Sequence, residues 1–177
     1  MTPLQQVIEL DLRNYLLSID KIDKERMPDM PDIDAGWEAV AMAYLPDGVP
    51  EYQNYPLASL GWMMYVGMAV AQYWDADWER YSKEENLYAP LKDKRGYDCM
   101  DEAISEDVLK MGKKEQTEWA KIVMTCAQTA NDQLRHAPVE PSTPQAFHAY
   151  VDALHALYRI GAAAWLYKLG YRMQKLS

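Results

Sequence analysis

The stretch YQNYPLASLGWMMYVGMAVAQYW, residues 52–74, decides how this chain folds. It contains no charged residue, although 25% of the chain is charged. A helix that is apolar on all sides is either the buried centre of a bundle or a membrane span. Interspersed Gln, Asn, Ser and Pro residues, and acidic residues on both flanks, favour the buried centre. We therefore expect a central helix over residues 56–81 and no membrane span.

The small residues of this run indicate how its neighbours pack. Ala58, Gly61, Gly67, Ala69 and Ala71 leave little side-chain volume on the helix surface. Small residues let two helix backbones approach closely. We expect other helices to pack tightly against the run.

Helical signals continue through the rest of the chain. Apolar residues recur at spacings of three and four, and no sustained alternation indicates a strand. Caps and apolar stripes predict five further helices, over residues 3–22, 33–45, 98–111, 113–136 and 144–175. Proline and glycine predict an ordered loop over 46–56, and a looser region follows at 82–97. The sequence thus predicts an all-α fold, a single domain of residues 1–177, arranged as an irregular bundle of about six helices.

The charge balance limits the kinds of partner. The chain has 27 acidic and 18 basic residues, a formal net charge of −9. Phosphate backbones and anionic lipid surfaces attract clustered Lys and Arg, so we expect neither nucleic acid nor a membrane as partner. The first residues include acidic side chains where a secretory segment would be apolar, and Cys99 and Cys126 fit as small apolar residues of helices. We expect a cytoplasmic protein.

One polar stripe on the last predicted helix is a candidate site. His148, Asp152, His155 and Arg159 follow one another at spacings of four, three and four, which places them on one face. The stripe is either the solvent-facing edge of an otherwise buried helix, or it turns inward. Facing inward, two imidazoles and a carboxylate could bind a metal or transfer protons as catalytic groups.

A second candidate lies at the charged end of the central helix. Asp75 and Glu79 are four residues apart and would share one face of a helix over 56–81. If that face points inward, the pair could meet the stripe of the last helix. The candidate metal ligands would then be Asp75, Glu79, His148, Asp152 and His155. No cofactor is predicted from a motif, and a divalent metal is the alternative.

Motifs leave function open among three classes. The chain has no GxSxG, no P-loop, no dinucleotide-binding fingerprint and no paired CxxC. It has thirteen Tyr and six Trp, residue types that are enriched in interaction hot spots. We favour a non-enzymatic binding or regulatory protein, of an adaptor or immunity type, with a basic protein as partner. The alternatives are a small metal-dependent or acid–base enzyme, and a small-molecule binder with an aromatic and Met-lined pocket beside the central helix.

Overall fold

A computed structural model of the chain describes residues 1–25 and 31–171. Every regular element in these residues is helical, which confirms the all-α prediction. The α-helices are α1 (Pro3–Ser18), α2 (Pro31–Ala35), α3 (Trp37–Asn54), α4 (Pro56–Ala76), α5 (Trp78–Tyr81), α6 (Tyr88–Arg95), α7 (Met100–Glu102), α8 (Lys113–His136) and α9 (Pro144–Lys168). A 3₁₀ turn, Tyr97–Cys99, precedes α7, and a π-helical segment, Ala103–Val108, follows it.

The uncharged run forms α4, the most deeply buried helix. From Ser59 to Ala71 all but one of its residues are buried. It packs most extensively against α9. Two hydrogen bonds show that the helices run parallel: Ser59 bonds to Tyr150 in the first half of each helix, and Gln72 bonds to Trp165 near the end of each. Apolar burial of this extent supplies most of the driving force for folding. α4 is therefore the axis around which the other elements pack.

Glycines bring α4 and α9 into backbone contact. A Cβ at Gly67 would collide with the carbonyl group of Tyr158, and a Cβ at Gly161 would collide with the carbonyl group of Met64. Gly61 plays a similar part against α8, where side chains lie close to it. The expected close approach of neighbouring helices is confirmed at these positions.

The first helix lies beside α9 in the same direction. Thr2 caps α1 through its hydroxyl, which accepts a hydrogen bond from the amide of Gln5. The same hydroxyl donates to Asp152 in the third turn of α9, and the hydroxyl of Tyr167 donates to Asp20 near the end of that helix. Helix α1 therefore covers the face of α9 that carries the polar stripe.

The predicted loop over residues 46–56 is wrong, because α3 continues to Asn54. Pro46 and Pro50 lie inside this helix. Each proline removes one amide donor, which leaves the carbonyls of Met42 and Pro46 without a helical partner. Met42, Pro46 and Pro50 are all exposed, so water can reach these carbonyls. The prolines are tolerated because they follow the solvent-facing side of the helix.

The central helix ends earlier than predicted. It stops at Ala76 because Asp77 adopts an extended backbone, with φ −158° and ψ 85°. The side chain of Asp77 accepts a hydrogen bond from the amide of Arg80 and so caps the short helix α5. Residues 56–81 therefore form two helices, and the prediction of one continuous element is wrong.

Other boundaries also move. Helix α1 ends at Ser18, before the predicted residue 22, and α9 ends at Lys168, two residues before Gly170 with its positive φ of 101°. Residues 172–175 of the predicted last helix lie outside the described residues. The looser region contains α6, and 98–111 forms 3₁₀, α and π turns instead of one α-helix. The bounds of 113–136 are confirmed by α8.

Among the helices of residues 1–25 and 31–171, none is both long and apolar enough to cross a membrane.

Candidate functional site

The polar stripe of α9 passes from solvent into the protein interior. His148 is exposed, Asp152 and His155 are half-buried, and Arg159 is only 3% exposed. The stripe faces α1 and α2, which supply its partners. Of the two alternatives, the solvent-facing edge therefore does not hold at Arg159, whose guanidinium lies inside the fold.

Arg159 joins three helices through ion pairs. Its Nε donates to Oε1 of Glu9 on α1 at 2.6 Å, and its Nη1 donates to Oδ2 of Asp34 on α2. The Arg159 side chain is 4% exposed, that of Glu9 16% and that of Asp34 39%. A buried guanidinium requires such partners, because an unpaired charge in the interior is very unfavourable. The arrangement holds α1 and α2 against α9.

His155 extends the same network. Its Nε2 lies 2.9 Å from Oδ1 of Asp34, and its ring stacks on Trp37 with centroids 4.5 Å apart and an interplanar angle of 4°. Burial lowers the pKa of His155, and the nearby Asp34 only partly offsets that effect. Burial acts to raise the pKa of Asp34, but hydrogen bonds from Arg159 and His155 outweigh it and lower that pKa. A neutral imidazole beside an ionised carboxylate follows, with Nε2–H assigned as the donor.

The sequence did not reveal the partners of this stripe. Glu9, Asp34 and Trp37 come from elements more than a hundred residues earlier in the chain than His155 and Arg159. No local spacing relates residues that far apart. The network therefore becomes visible only in the folded chain.

The carboxylates at the charged end of α4 form no hydrogen bond or ion pair with the stripe among the described residues. Asp75 accepts a hydrogen bond from the Tyr171 hydroxyl at 2.8 Å. Because α4 and α9 are parallel, this end is roughly 30 Å along α9 from His148. Glu79 lies beyond the break at Asp77, on α5, and is exposed. The structure does not bring Asp75 and Glu79 together with the stripe, and the two carboxylates no longer share one helix face.

The described residues also lack a set of metal ligands. Within 1–25 and 31–171, no group of three or more His, Cys, Asp or Glu side chains is arranged to hold a metal ion. At the stripe, the carboxylates of Glu9 and Asp34 instead pair with the positively charged guanidinium of Arg159. The metal-dependent alternative therefore has no assembled ligand set in this part of the chain.

An acidic and aromatic corner occupies the end of α4 instead. The sequence WDADWERYSKEE, residues 74–85, spans the end of α4, the whole of α5 and the turn after it. We call this segment the acidic corner. Trp78 is 47% exposed and packs edge-on against Trp74, with ring centroids 5.6 Å apart and an interplanar angle of 78°. Such exposure is unusual for tryptophan, because its large ring contributes most to stability or binding when it is buried.

Carboxylates surround these rings. The carboxylates of the segment are Asp75, Asp77, Glu79, Glu84 and Glu85. None of these side chains forms an ion pair with another described residue. The cations of the segment are Arg80, whose guanidinium lies 4.9 Å from the Tyr81 ring centroid, and Lys83. The corner therefore has an excess of negative charge next to exposed aromatic surface.

A small cavity opens within the acidic corner. Its volume is about 140 Å³, and Trp74, Trp78 and Tyr81 line it together with Glu84 and Glu85. The rest of the lining comes from several elements and comprises Ala35, Gly36, Val40, Val70, Ser82, Lys83, Leu87 and Tyr158. Aromatic faces combined with carboxylates favour a cationic group.

Tyr158 of α9 also lies beside this cavity. Its side chain lines the same cavity, and its buried hydroxyl has no hydrogen-bond partner among the described residues. Burial raises the pKa of Tyr158, so the phenol stays protonated. A buried hydroxyl without a partner is costly.

Comparison with known proteins gave no relative: no family model, curated protein or solved structure matches this chain.

Proposed function

We propose that this is a non-enzymatic binding protein that captures a basic segment of another protein at its acidic corner, in a regulatory, adaptor or immunity-type role. The observation that carries the proposal is the cavity between Trp74, Trp78 and Tyr81 with Glu84 and Glu85 beside it. Its occupant is a lysine or arginine side chain of the partner.

The chemistry of the corner suits such a side chain. An ammonium or guanidinium group within about 6 Å of a Trp or Tyr face gains roughly 0.5–2 kcal/mol. The alkyl stem of Lys or Arg packs on apolar surface while its head reaches the carboxylates. Each part of the inserted side chain has a matching group.

Long-range electrostatics support the same kind of partner. The net charge of −9 attracts basic proteins and repels acidic ones. At the corner, the carboxylates form no ion pair with another described residue, and they outnumber the two cations of the segment. Association is therefore expected to be fast at low salt and to weaken as salt screens the charges, since the Debye length is about 8 Å at physiological ionic strength.

A defined peptide tests the proposal. Binding of a short fluorescein-labelled peptide of alternating Lys and Ala is measured by fluorescence anisotropy, with salt raised from about 50 mM to about 300 mM. We expect saturable binding to the wild-type protein that weakens with salt. Trp78→Ala should weaken it at least about fivefold, because roughly 1 kcal/mol of aromatic contact is lost. Glu84→Gln/Glu85→Gln should weaken it and flatten its salt dependence.

Matched controls separate the corner from charge in general. Asp93→Asn/Asp98→Asn removes two exposed carboxylates elsewhere, and Met42→Ala removes an exposed apolar side chain. Both variants should bind the peptide as the wild type does. The proposal is wrong if the peptide does not bind at low salt, or if these controls lose as much affinity as the corner variants.

A further inference from the structure

A second concave surface lies at the opposite end of the bundle. It is a groove of about 960 Å³ between the end of α3, the end of α8, the connection after α8 and the first turns of α9. Pockets of a few hundred to about a thousand Å³ are typical of small-molecule sites. On α9 the lining of the two cavities is separated by the eight residues from Tyr150 to Tyr158, roughly 12 Å along the helix.

Two tyrosine rings form a rigid part of the groove lining. Tyr52 and Tyr150 lie with ring centroids 4.9 Å apart. The Tyr52 hydroxyl donates to Oδ1 of Asn131 at 2.9 Å, which fixes one ring. The Tyr150 hydroxyl lies 2.6 Å from Oγ of Ser59, and because Ser59 donates its own proton to a backbone carbonyl, Tyr150 is the donor. Both polar tips are thus engaged inside the protein.

Apolar side chains continue this lining toward solvent. Phe147 is 43% exposed on the first turns of α9, and Leu134, Val139 and Val49 also line the groove. The single Phe of the chain therefore lies partly in water at a concave surface. Apolar surface in a concave site favours an apolar ligand body, because its burial removes both surfaces from water.

The groove also holds an unpaired cation. Arg135 lines it, is exposed, and forms no hydrogen bond or ion pair with any described residue. By contrast, Arg95 bonds to Glu106 and Asp107. In a chain with 27 acidic residues, a guanidinium without a carboxylate partner beside an apolar groove is available for an anion.

From these observations we infer that the groove binds a small amphipathic anion, with a carboxylate at Arg135 and an apolar body against Phe147, Tyr52 and Tyr150. The guanidinium fork matches the two oxygens of a carboxylate. The ligand class is that of alkyl or aromatic carboxylic acids. This site is independent of the acidic corner, which selects the opposite charge.

A displacement assay tests the ligand class. Binding of 11-(dansylamino)undecanoic acid is followed by dansyl fluorescence, and dodecanoate, dodecanol and dodecylammonium are added as competitors below their micellar concentrations. We expect dodecanoate to displace the probe best and dodecylammonium worst. Arg135→Gln should weaken the binding of dodecanoate about tenfold, because one charge-assisted hydrogen-bonded contact is lost. The binding of dodecanol should not change.

The two ends of the molecule provide controls for each other. Arg80→Gln removes an exposed guanidinium of the acidic corner and should not alter dodecanoate binding. Phe147→Ala should weaken dodecanoate and dodecanol together, whereas Trp78→Ala should weaken neither. Both aromatic side chains are about half exposed, so each variant is expected to fold.

Three results would overturn the inference. One is that no displacement by dodecanoate occurs, and another is that Arg135→Gln and Arg80→Gln behave alike. A third is that the wild type sediments with phosphatidylglycerol vesicles in an Arg135-dependent way while monomeric dodecanoate fails to bind, which would indicate a membrane surface instead. Failure here leaves binding of the Lys–Ala peptide at the corner unaffected, so the two proposals fail separately.

Discussion

The guanidinium of Arg159 lies between carboxylates from two other helices, where its charge is almost fully removed from water. It bonds to Glu9 and Asp34, and Asp34 in turn bonds to His155. Interior charges depend on their partners, so removal of one member leaves another uncompensated. We expect Glu9→Leu to lower the free energy of unfolding by about 3 kcal/mol. This value is at the lower end of the range for breaking a buried ion pair, because Asp34 remains as a partner of Arg159. Urea denaturation measures the change.

A surface pair provides the comparison for that substitution. Lys21 and Glu118 form an ion pair at 2.6 Å with substantially exposed side chains. Glu118→Leu should therefore cost much less than Glu9→Leu. The double variant Glu9→Leu/Arg159→Met should recover a large share of the loss, since it removes the stranded charge. Equal losses at residues 9 and 118 would show that burial does not set the strength of the network.

At this scale the sequence revealed positions but not partners. The spacing of His148, Asp152, His155 and Arg159 correctly places them on one helix face. Whether that face met water or protein depended on α1 and α2, and the pairing of Arg159 with Glu9 spans 150 residues. Local periodicity contains no information about such contacts. The exposed Trp78, by contrast, lies in a segment whose acidic and aromatic residues are adjacent in sequence.

Helices α4 and α9 are held at a separation that only glycine permits. Gly67 and Gly161 each lie against a carbonyl group of the other helix, and a backbone cannot move aside as a side chain can. We expect Gly67→Ala to destabilise the protein by about 3 kcal/mol, the upper part of the usual range for overpacking, despite the higher helix propensity of alanine. Thermal and urea unfolding would both report the loss.

A third glycine separates packing from backbone effects. Gly36 precedes α3 with φ −92°, and a Cβ there would meet nothing within 4 Å. Gly36→Ala should therefore leave stability unchanged or raise it by about half a kcal/mol through the unfolded state. If Gly67→Ala proves as harmless as Gly36→Ala, the close approach of α4 and α9 is not fixed by these glycines.

Element boundaries were predictable where local signals agree with tertiary contacts. Helix α8 begins and ends where its apolar stripe and flanking residues place it. The prolines of α3 wrongly predicted a loop, because contacts with another helix fix the inner side of α3. Tyr44 of α3 donates its hydroxyl to the Ser59 carbonyl of α4, and the Ser59 hydroxyl donates to the Gly48 carbonyl of α3. These bonds hold a helix that local propensity alone would interrupt.

Considered as a whole, the molecule presents side chains of opposite charge beside its two concave surfaces. The acidic corner presents carboxylates and Trp78, and the groove presents Arg135 and Phe147. Helix α4 connects the two ends, since its first turn lies near Tyr150 and its last residues belong to the corner. Binding at one end can be measured without occupying the other, which is why each end serves as the control for the other.

Stability of the whole fold should depend on pH through His155. Burial lowers the pKa of its imidazole in the folded protein below the ordinary value of 6.5. Below about pH 6.5 the unfolded chain therefore binds a proton that the folded chain does not, so the free energy of unfolding falls as pH falls toward the folded pKa. Asp34, whose pKa is lowered from 3.8, adds a further loss in stronger acid.

Comparison of variants isolates the imidazole from the other titrating groups. Urea unfolding is measured between about pH 7.5 and about pH 5, the range in which a histidine changes charge. His155→Gln should flatten the decline over this range, because the glutamine can keep a hydrogen bond to Asp34 without gaining a proton. His148→Gln, which replaces an exposed ring on the same helix, should keep the wild-type decline. A decline that persists unchanged in His155→Gln would mean that other groups set the acid sensitivity of the fold.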